Sequence, residues 1–139
     1  MSANLDLVRS IYATWERGDY SHSAEWAHPE IEYVRADGPS PGSWTGPAGM
    51  TRGARADLEV WEGFRGEVED YRELDGERVL VLVDYSGRGK TSGLELGQMR
   101  AKGAEVFHVR DGRVTRLVVY WDRERALADL GLAPEGDEP

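Results

Sequence analysis

The chain has 139 residues, 17 Lys and Arg against 26 Asp and Glu, and a formal charge of −9, enough length for one ordinary domain with its own core. It contains no cysteine, which excludes disulfides, thiolate nucleophiles, iron–sulfur clusters and cysteine-rich zinc sites. The acidic balance opposes phosphate backbones, so no nucleic-acid partner is expected.

Acids such as Glu67, Glu69, Asp70, Glu73, Asp75 and Glu77 read as solvated surface. The start, MSANLDLVRS, has no basic cluster followed by an apolar run, and no stretch reaches the ~20 apolar residues of a membrane span. A soluble, unprocessed, cytoplasmic protein with no membrane partner is expected. A single domain is expected over residues 1–139, with 134–139 as an acidic tail.

In chain order, apolar residues at Leu5, Val8, Ile11, Tyr12 and Trp15 recur at three- and four-residue intervals, and Gly18 stands at the stop position of a first helix. A short second helix is predicted over Tyr20 to Ala27, because Pro29 disfavours continuation. The following IEYVR alternates like a strand. Asp37 to Gly49 concentrates Gly, Pro and Ser and predicts a loop, with Trp44 its only large apolar side chain. Pro47 suits the start of a third helix, whose face would hold Met50, Ala54, Asp57, Leu58 and Trp61 up to Gly63.

Strands are then predicted around Val68 to Leu74, Arg78 to Ser86, Leu94 to Arg110 and Arg113 to Asp122, with short turns making the neighbours antiparallel. The final segment should be a helix capped by Asp122 and stopped at Gly131. Helices followed by an antiparallel meander indicate an α+β fold.

The order α-α-β-α-β-β-β-β, with YATWERGD closing the first helix, WxG in the loop and VFHVRDGRV near the end, resembles the NTF2-like superfamily, which includes ketosteroid isomerases and SnoaL-like polyketide cyclases. The resemblance spans nearly the whole chain. It implies a conical, cystatin-like α+β barrel with helices packed on the concave face of a curved, mixed but mostly antiparallel sheet. It also implies an apolar pocket between sheet and helices, and commonly a homodimer through the convex face. The fold alone does not imply a reaction.

Ketosteroid isomerases use an aspartate base with an oxyanion hole of a tyrosine and a protonated aspartic acid. Matching helix one on Gly18-Asp19 puts Ile11 at the tyrosine position, with Tyr12 one residue and about 100° away. Matching the next strand puts Val34 at the base, followed by Arg35 and Asp37, neither a clean replacement. Glu105 falls where the isomerases place their buried acid and the cyclases a histidine. Val119 stands where the cyclases carry an aspartate. Both catalytic sets are therefore incomplete, and Glu105 is the leading catalytic candidate. A carboxylic acid on an apolar wall loses solvation, which favours its neutral form and suits general acid/base work. The bland alternative pairs it with an arginine such as Arg100.

Asp84, interrupting the apolar run VLVLVDYS, is a second catalytic candidate; its plain reading is a strand-end hydrogen bond or an ion pair with Arg88. A three-residue turn at Arg110-Asp111-Gly112 would pair Glu105 with Leu117 and Phe107 with Thr115, lining the cavity with Glu105, Phe107, Leu117, Val119 and Trp121. A two-residue turn would pair Glu105 with Val118 and turn Tyr120 inward; the three-residue form is preferred. Tyr12, Trp15, Trp26, Tyr33, Trp61, Phe64 and Tyr85 are further aromatic candidates for a small-molecule site, Trp15, Trp26 and Trp61 foremost, although core packing is the more ordinary role of each. Trp44 could cap the mouth or pack on a neighbouring subunit.

His22, His28 and His108 lie on separate elements without metal-ligand spacing, so no metal is expected. The Lys90-Thr91 pair lies between strands rather than before a helix, which argues against a phosphate loop, and no nucleophile elbow is present. No cofactor is expected. Two functions stay open: an isomerase-, cyclase- or dehydratase-type enzyme moving a proton through Glu105 on an apolar, carbonyl-containing molecule, and a non-catalytic ligand-binding or dimeric accessory protein.

Overall fold

The structure, a computed structural model, describes residues 3–17, 23–37, 41–89 and 98–132, without the side chains of 23–24, 56–64, 88–89 and 98–99. Its elements run α1 (Ala3–Glu16), α2 (Ser23–Trp26), β1 (Ala27–Arg35), β2 (Gly42–Thr45), α3 (Gly46–Val60), β3 (Trp61–Glu73), β4 (Arg78–Gly89), β5 (Gln98–Arg110), β6 (Arg113–Tyr120) and α4 (Arg123–Asp129). The strands form one six-stranded sheet in the order β2-β1-β6-β5-β4-β3. Only the β1–β6 pair is parallel.

Alternation along the central strands sorts the core into two layers. Val79, Val81, Val83 and Tyr85 of β4, Phe107 and Val109 of β5, and Leu117 and Val119 of β6 face α1 with its buried Val8, Ile11 and Tyr12. The other pleat, Leu80, Leu82, Ala104, Val106, Val118 and Tyr120, packs against Ala126 and Leu127 of α4. Thus α1 and α3 lie on the concave face, as expected, while the closing helix covers part of the convex one.

Helix α4 begins and ends where its capping residues predict. The Asp122 side chain accepts from the backbone N–H groups of Glu124 and Arg125, satisfying donors a first turn leaves open. At the other end Gly131, at φ 72°, and Leu132 return their N–H groups to Ala128 and Leu127, the pairing of a Schellman stop.

Three boundaries differ from the sequence expectation. The predicted loop contains the edge strand β2, whose Trp44 is opposite Tyr33 of β1; strand pairing here overrides Gly and Ser content. Helix α3 stops at Val60 and Trp61 already begins β3, so Trp61 is not a helix-face residue. Helix α2 is only the four residues Ser23–Trp26, residues 20–22 of the predicted segment lying outside the described residues, as do 94–97 of the predicted β5.

The β5–β6 turn is also corrected. Arg110 pairs with Arg113 across a two-residue turn with Asp111 at φ 53° and Gly112 at φ 77°, the double positive φ of a type I′ hairpin. The register then shifts between Val109 opposite Val114 and His108 opposite Arg116, leaving Thr115 as an extra residue. This β-bulge restores the facing that a three-residue turn would have given. Glu105 pairs with Val119, not Leu117 or Val118, and Phe107 pairs with Leu117, not Thr115.

Candidate functional site

Strand β5 places Glu105 on the concave pleat, buried and opposite Val81 of β4 and Val119 of β6. Tyr12 reaches it from α1, its hydroxyl donating to Oε1. Tyr85 reaches it from β4, its hydroxyl donating to Oε2. A carboxylate only accepts, so one phenol on each oxygen offsets part of the desolvation that burial imposes. Sequence reasoning expected a desolvated acid on an apolar wall; the structure adds a phenol on each of its two oxygens.

The two tyrosines arrive by different routes. Tyr85 stands opposite Ala101, one inward step beyond the Val83–Gly103 pair and two from Val81–Glu105. Its ring crosses the space over Gly103: a Cβ there would run into ring atom Cε2 and into the Tyr120 carbonyl. Tyr12 is fixed from above by edge-on contacts with Trp15 at 5.1 Å, Phe107 at 5.7 Å and Tyr71 at 6.0 Å. Burial first, then the charge of Glu105, holds the Tyr12 hydroxyl well above its ordinary pKa of 10.0. The proton therefore stays on the phenol.

The structure brings most of the residues predicted to line a cavity together in the core. Tyr12, Trp26, Tyr33, Phe107, Leu117 and Val119 are buried in one cluster with Trp15 packed against it. Trp15 meets Trp26 edge-on at 5.9 Å, and Trp121 stacks on Tyr85 at 5.5 Å. Trp44 packs within its own chain, 5.8 Å from the Tyr33 ring. The side chains of Trp61 and Phe64 lie outside those described.

Asp84 is not brought to the site. It sits on the opposite pleat, paired with Lys102 in register, and its carboxylate accepts from Arg100 at 2.9 Å. Arg100, the expected partner of Glu105, thus binds Asp84 instead, on the outer side of the sheet.

Sequence reasoning left one part of the inner wall undistinguished and missed another. Tyr85 was one aromatic among many, although its parity with Val79, Val81 and Val83 marks it as inward. Arg35 was passed over beside Val34, yet β1 turns Ile31, Tyr33 and Arg35 inward, all three buried. Arg35, Val119, Glu105 and Val81 stand in one row across four strands. Two strand spacings, roughly 10 Å, separate the backbones of Arg35 and Glu105.

Among the described residues no group of three His, Asp or Glu side chains could hold a metal ion. No helix among them is long and apolar enough to cross a membrane. A separate polar hollow lies at the hairpin tip, lined by His28, Pro29, Arg110, Asp111, Arg113 and Thr115. It is five residues from Glu105, about 17 Å along the strand.

Residues 8–117 match the SnoaL-like domain family. No curated protein matches the chain in sequence. Among solved structures, TerC co-crystallised with polyporic acid shares 24% identity at a TM-score of 0.72, covering 94% of this chain and 98% of its own. An NTF2-like protein from Burkholderia thailandensis shares 22% at 0.75, covering 86% and 90%. A protein of ketosteroid isomerase-like fold from Catenulispora acidiphila, in complex with trimethylamine, shares 16% at 0.69, covering 92% and 94%. At these identities the likeness is one of fold.

Proposed function

The chain belongs to the SnoaL-like family, and on that footing we propose that its concave face binds a small, largely apolar, carbonyl-containing molecule beside Glu105. The observation that carries this reading is the buried Tyr12–Glu105–Tyr85 set on a wall otherwise made of Val81, Phe107, Leu117 and Val119. A few convergent polar groups in an apolar surround are the usual make-up of a small-molecule site. That TerC was crystallised with polyporic acid and the Catenulispora protein with trimethylamine supports small-molecule binding by this fold.

In the catalytic form of the proposal, the Glu105 carboxylate takes a proton from carbon next to the carbonyl and returns it to another atom of the same molecule. Tyr12 and Tyr85 hold the carboxyl in place. Isomerisation, cyclisation and dehydration all begin this way, and none needs an oxidant. The second reading, a binding protein without chemistry, draws on Val119, which supplies no partner for Glu105, and on the two tyrosine bonds that already occupy both carboxylate oxygens. The homodimer that the resemblance implies, and the cytoplasmic location expected from the sequence, are proposed beside it; light scattering tests the first.

Native mass spectrometry of the purified protein should reveal a bound small molecule. With that molecule in D2O, proton NMR should show exchange at the carbon beside its carbonyl, lost in Glu105→Gln while binding persists. Exchange unchanged in Glu105→Gln would remove the catalytic form. Absence of any bound molecule, and of binding by a panel of apolar ketones, would remove both.

A further inference from the structure

We propose that Asp37, which does not touch Glu105 or its two tyrosines, is a positioning residue for that set: by fixing the main chain at Trp121 it keeps the Tyr85 hydroxyl on the carboxyl. The inference rests on the reading that Glu105 works on a small molecule bound at the concave face, and it adds what sets the direction of the carboxyl.

Asp37 stands just past the end of β1. The parallel ladder with β6 runs on to Ala36, whose N–H donates to the Val119 carbonyl at 3.0 Å. One step further a side chain takes over from the backbone. Asp37 Oδ1 accepts from the Trp121 N–H at 2.6 Å, and Oδ2 from the Asp122 N–H at 3.4 Å. The two oxygens thus straddle the point at which β6 gives way to the cap of α4. Partners 84 positions apart in sequence make this a tertiary clamp rather than a local turn, and a carboxylate on backbone N–H groups is among the stronger hydrogen-bonded pairings.

What the clamp fixes is the direction of the indole. Trp121 continues the concave pleat of Leu117 and Val119, and its ring stacks on that of Tyr85 with centroids 5.5 Å and planes 29° apart. Just beyond it Arg123 donates to the Gly103 and Val83 carbonyls, each at 3.0 Å, so the chain is tied to β5 and β4 on the other side of the tryptophan as well. The Tyr85 ring passes close over Gly103, and its hydroxyl donates to Glu105 Oε2. The route from Asp37 to the carboxyl is therefore the main chain at Trp121, the indole, the phenol ring and its hydroxyl. Tyr12 holds Oε1 from α1 by a separate route, so loss of the clamp should tilt the carboxyl rather than release it.

A tilt of this kind bears on turnover more than on affinity. Displacing a reacting group by about 1 Å can cost on the order of a hundredfold in rate, whereas binding to an apolar wall depends chiefly on the area covered.

The test uses 2-acetonaphthone, an apolar methyl ketone. In D2O the carboxylate takes a methyl proton and a deuteron returns to the same carbon, so one C–H bond breaks, one C–D bond forms and nothing is oxidised. At saturating ketone Asp37→Ala should slow this exchange by about tenfold and leave the dissociation constant within about threefold. Asp37→Asn, which keeps an oxygen for the Trp121 N–H, should retain most of the rate. Trp121→Ala should slow exchange to a similar degree, and Asp37→Ala added to it should cost nothing further. Without ketone, the Tyr85 ring protons, shifted by the stacked indole, should move toward ordinary tyrosine positions in Asp37→Ala but not in Asp37→Asn. Asp37→Glu, which moves the same oxygens by one methylene, serves where alanine does not fold and should shift the same signals and slow the same exchange. Tyr85 signals indifferent to these changes, an unchanged exchange rate, or a further loss in the Trp121→Ala background overturns the role of Asp37 and leaves the concave-face reading intact. Exchange absent from the unaltered protein, or untouched by Glu105→Gln, overturns the catalytic reading and this proposal with it.

Discussion

The ring of Tyr85 occupies the space that Gly103 leaves by having no side chain, and through that space its hydroxyl reaches Glu105. Gly103 is thus a condition of the Tyr85–Glu105 bond rather than a tolerated gap. Gly103→Ala should displace the ring, break the bond and, by overpacking against the Tyr120 carbonyl as well, cost about 1–3 kcal/mol. Urea denaturation measures the cost, and near-ultraviolet circular dichroism reports the altered tyrosine surroundings. An alanine variant as stable as the parent would refute the close packing.

The two tyrosine bonds to one buried carboxylate should be individually strong and mutually dependent. Tyr12→Phe and Tyr85→Phe should each cost about 1.5–3 kcal/mol, the range for hydrogen bonds to a charged group. A double-mutant cycle with Glu105→Gln should show coupling, because the phenols share one acceptor. Simple additivity of the three substitutions would mean the carboxylate does not join them.

Alkaline stability should decline through Tyr12. Its hydroxyl is held well above 10.0 in the fold, by burial first and then by Glu105. Above the unfolded value, the unfolded chain binds fewer protons than the native one, so stability falls as pH rises. The contribution is complete below about 10 and is lost as pH climbs through the folded value. Tyr12→Phe should flatten that decline, read from urea midpoints across the alkaline range. An unchanged slope would contradict a buried, protonated phenol.

On the convex face, His108 should make the protein acid-sensitive. Burial lowers its pKa below 6.5, helped by the positive charges of Arg116 and Arg78 and opposed by Asp75 and Glu77. The unfolded imidazole gains a proton first as pH falls, so the stabilisation present above about 6.5 is lost as pH drops through the folded value. His108→Gln should remove this dependence. An NMR titration placing His108 at or above 6.5 would contradict it.

What the sequence makes legible depends on how local the cause is. The ends of α4 were readable because capping involves residues a few positions apart: Asp122 with Glu124 and Arg125, Gly131 with Ala128. The inward facing of Glu105, Phe107, Leu117 and Val119 was readable from parity. The site itself was less so. Helix alignment assigned the inward place to Ile11 and discounted Tyr12, but a buried helix stripe is broad enough to hold both, and both are buried. Tyr85 depends on Gly103 from another strand, and Arg35 on Gly53 and Trp44 from α3 and β2; such tertiary dependencies leave no periodic trace. Edge strand β2 was hidden by its glycine- and serine-rich composition, because its ladder with β1 is a tertiary fact.

The extra residue at Thr115 works like a frame correction in a reading frame. The two-residue turn sets one phase between β5 and β6, and the bulge shifts it by one before the inner wall begins. Holding Thr115 in the ladder, with no bulge, would leave the turn sound yet present Val118 and Tyr120 where Leu117 and Val119 now stand. Drawing one more residue of the chain into the turn would then restore the original facing. Chains of this family can therefore trade turn length against bulge while preserving their interior, so residues near this hairpin correspond by phase rather than by count.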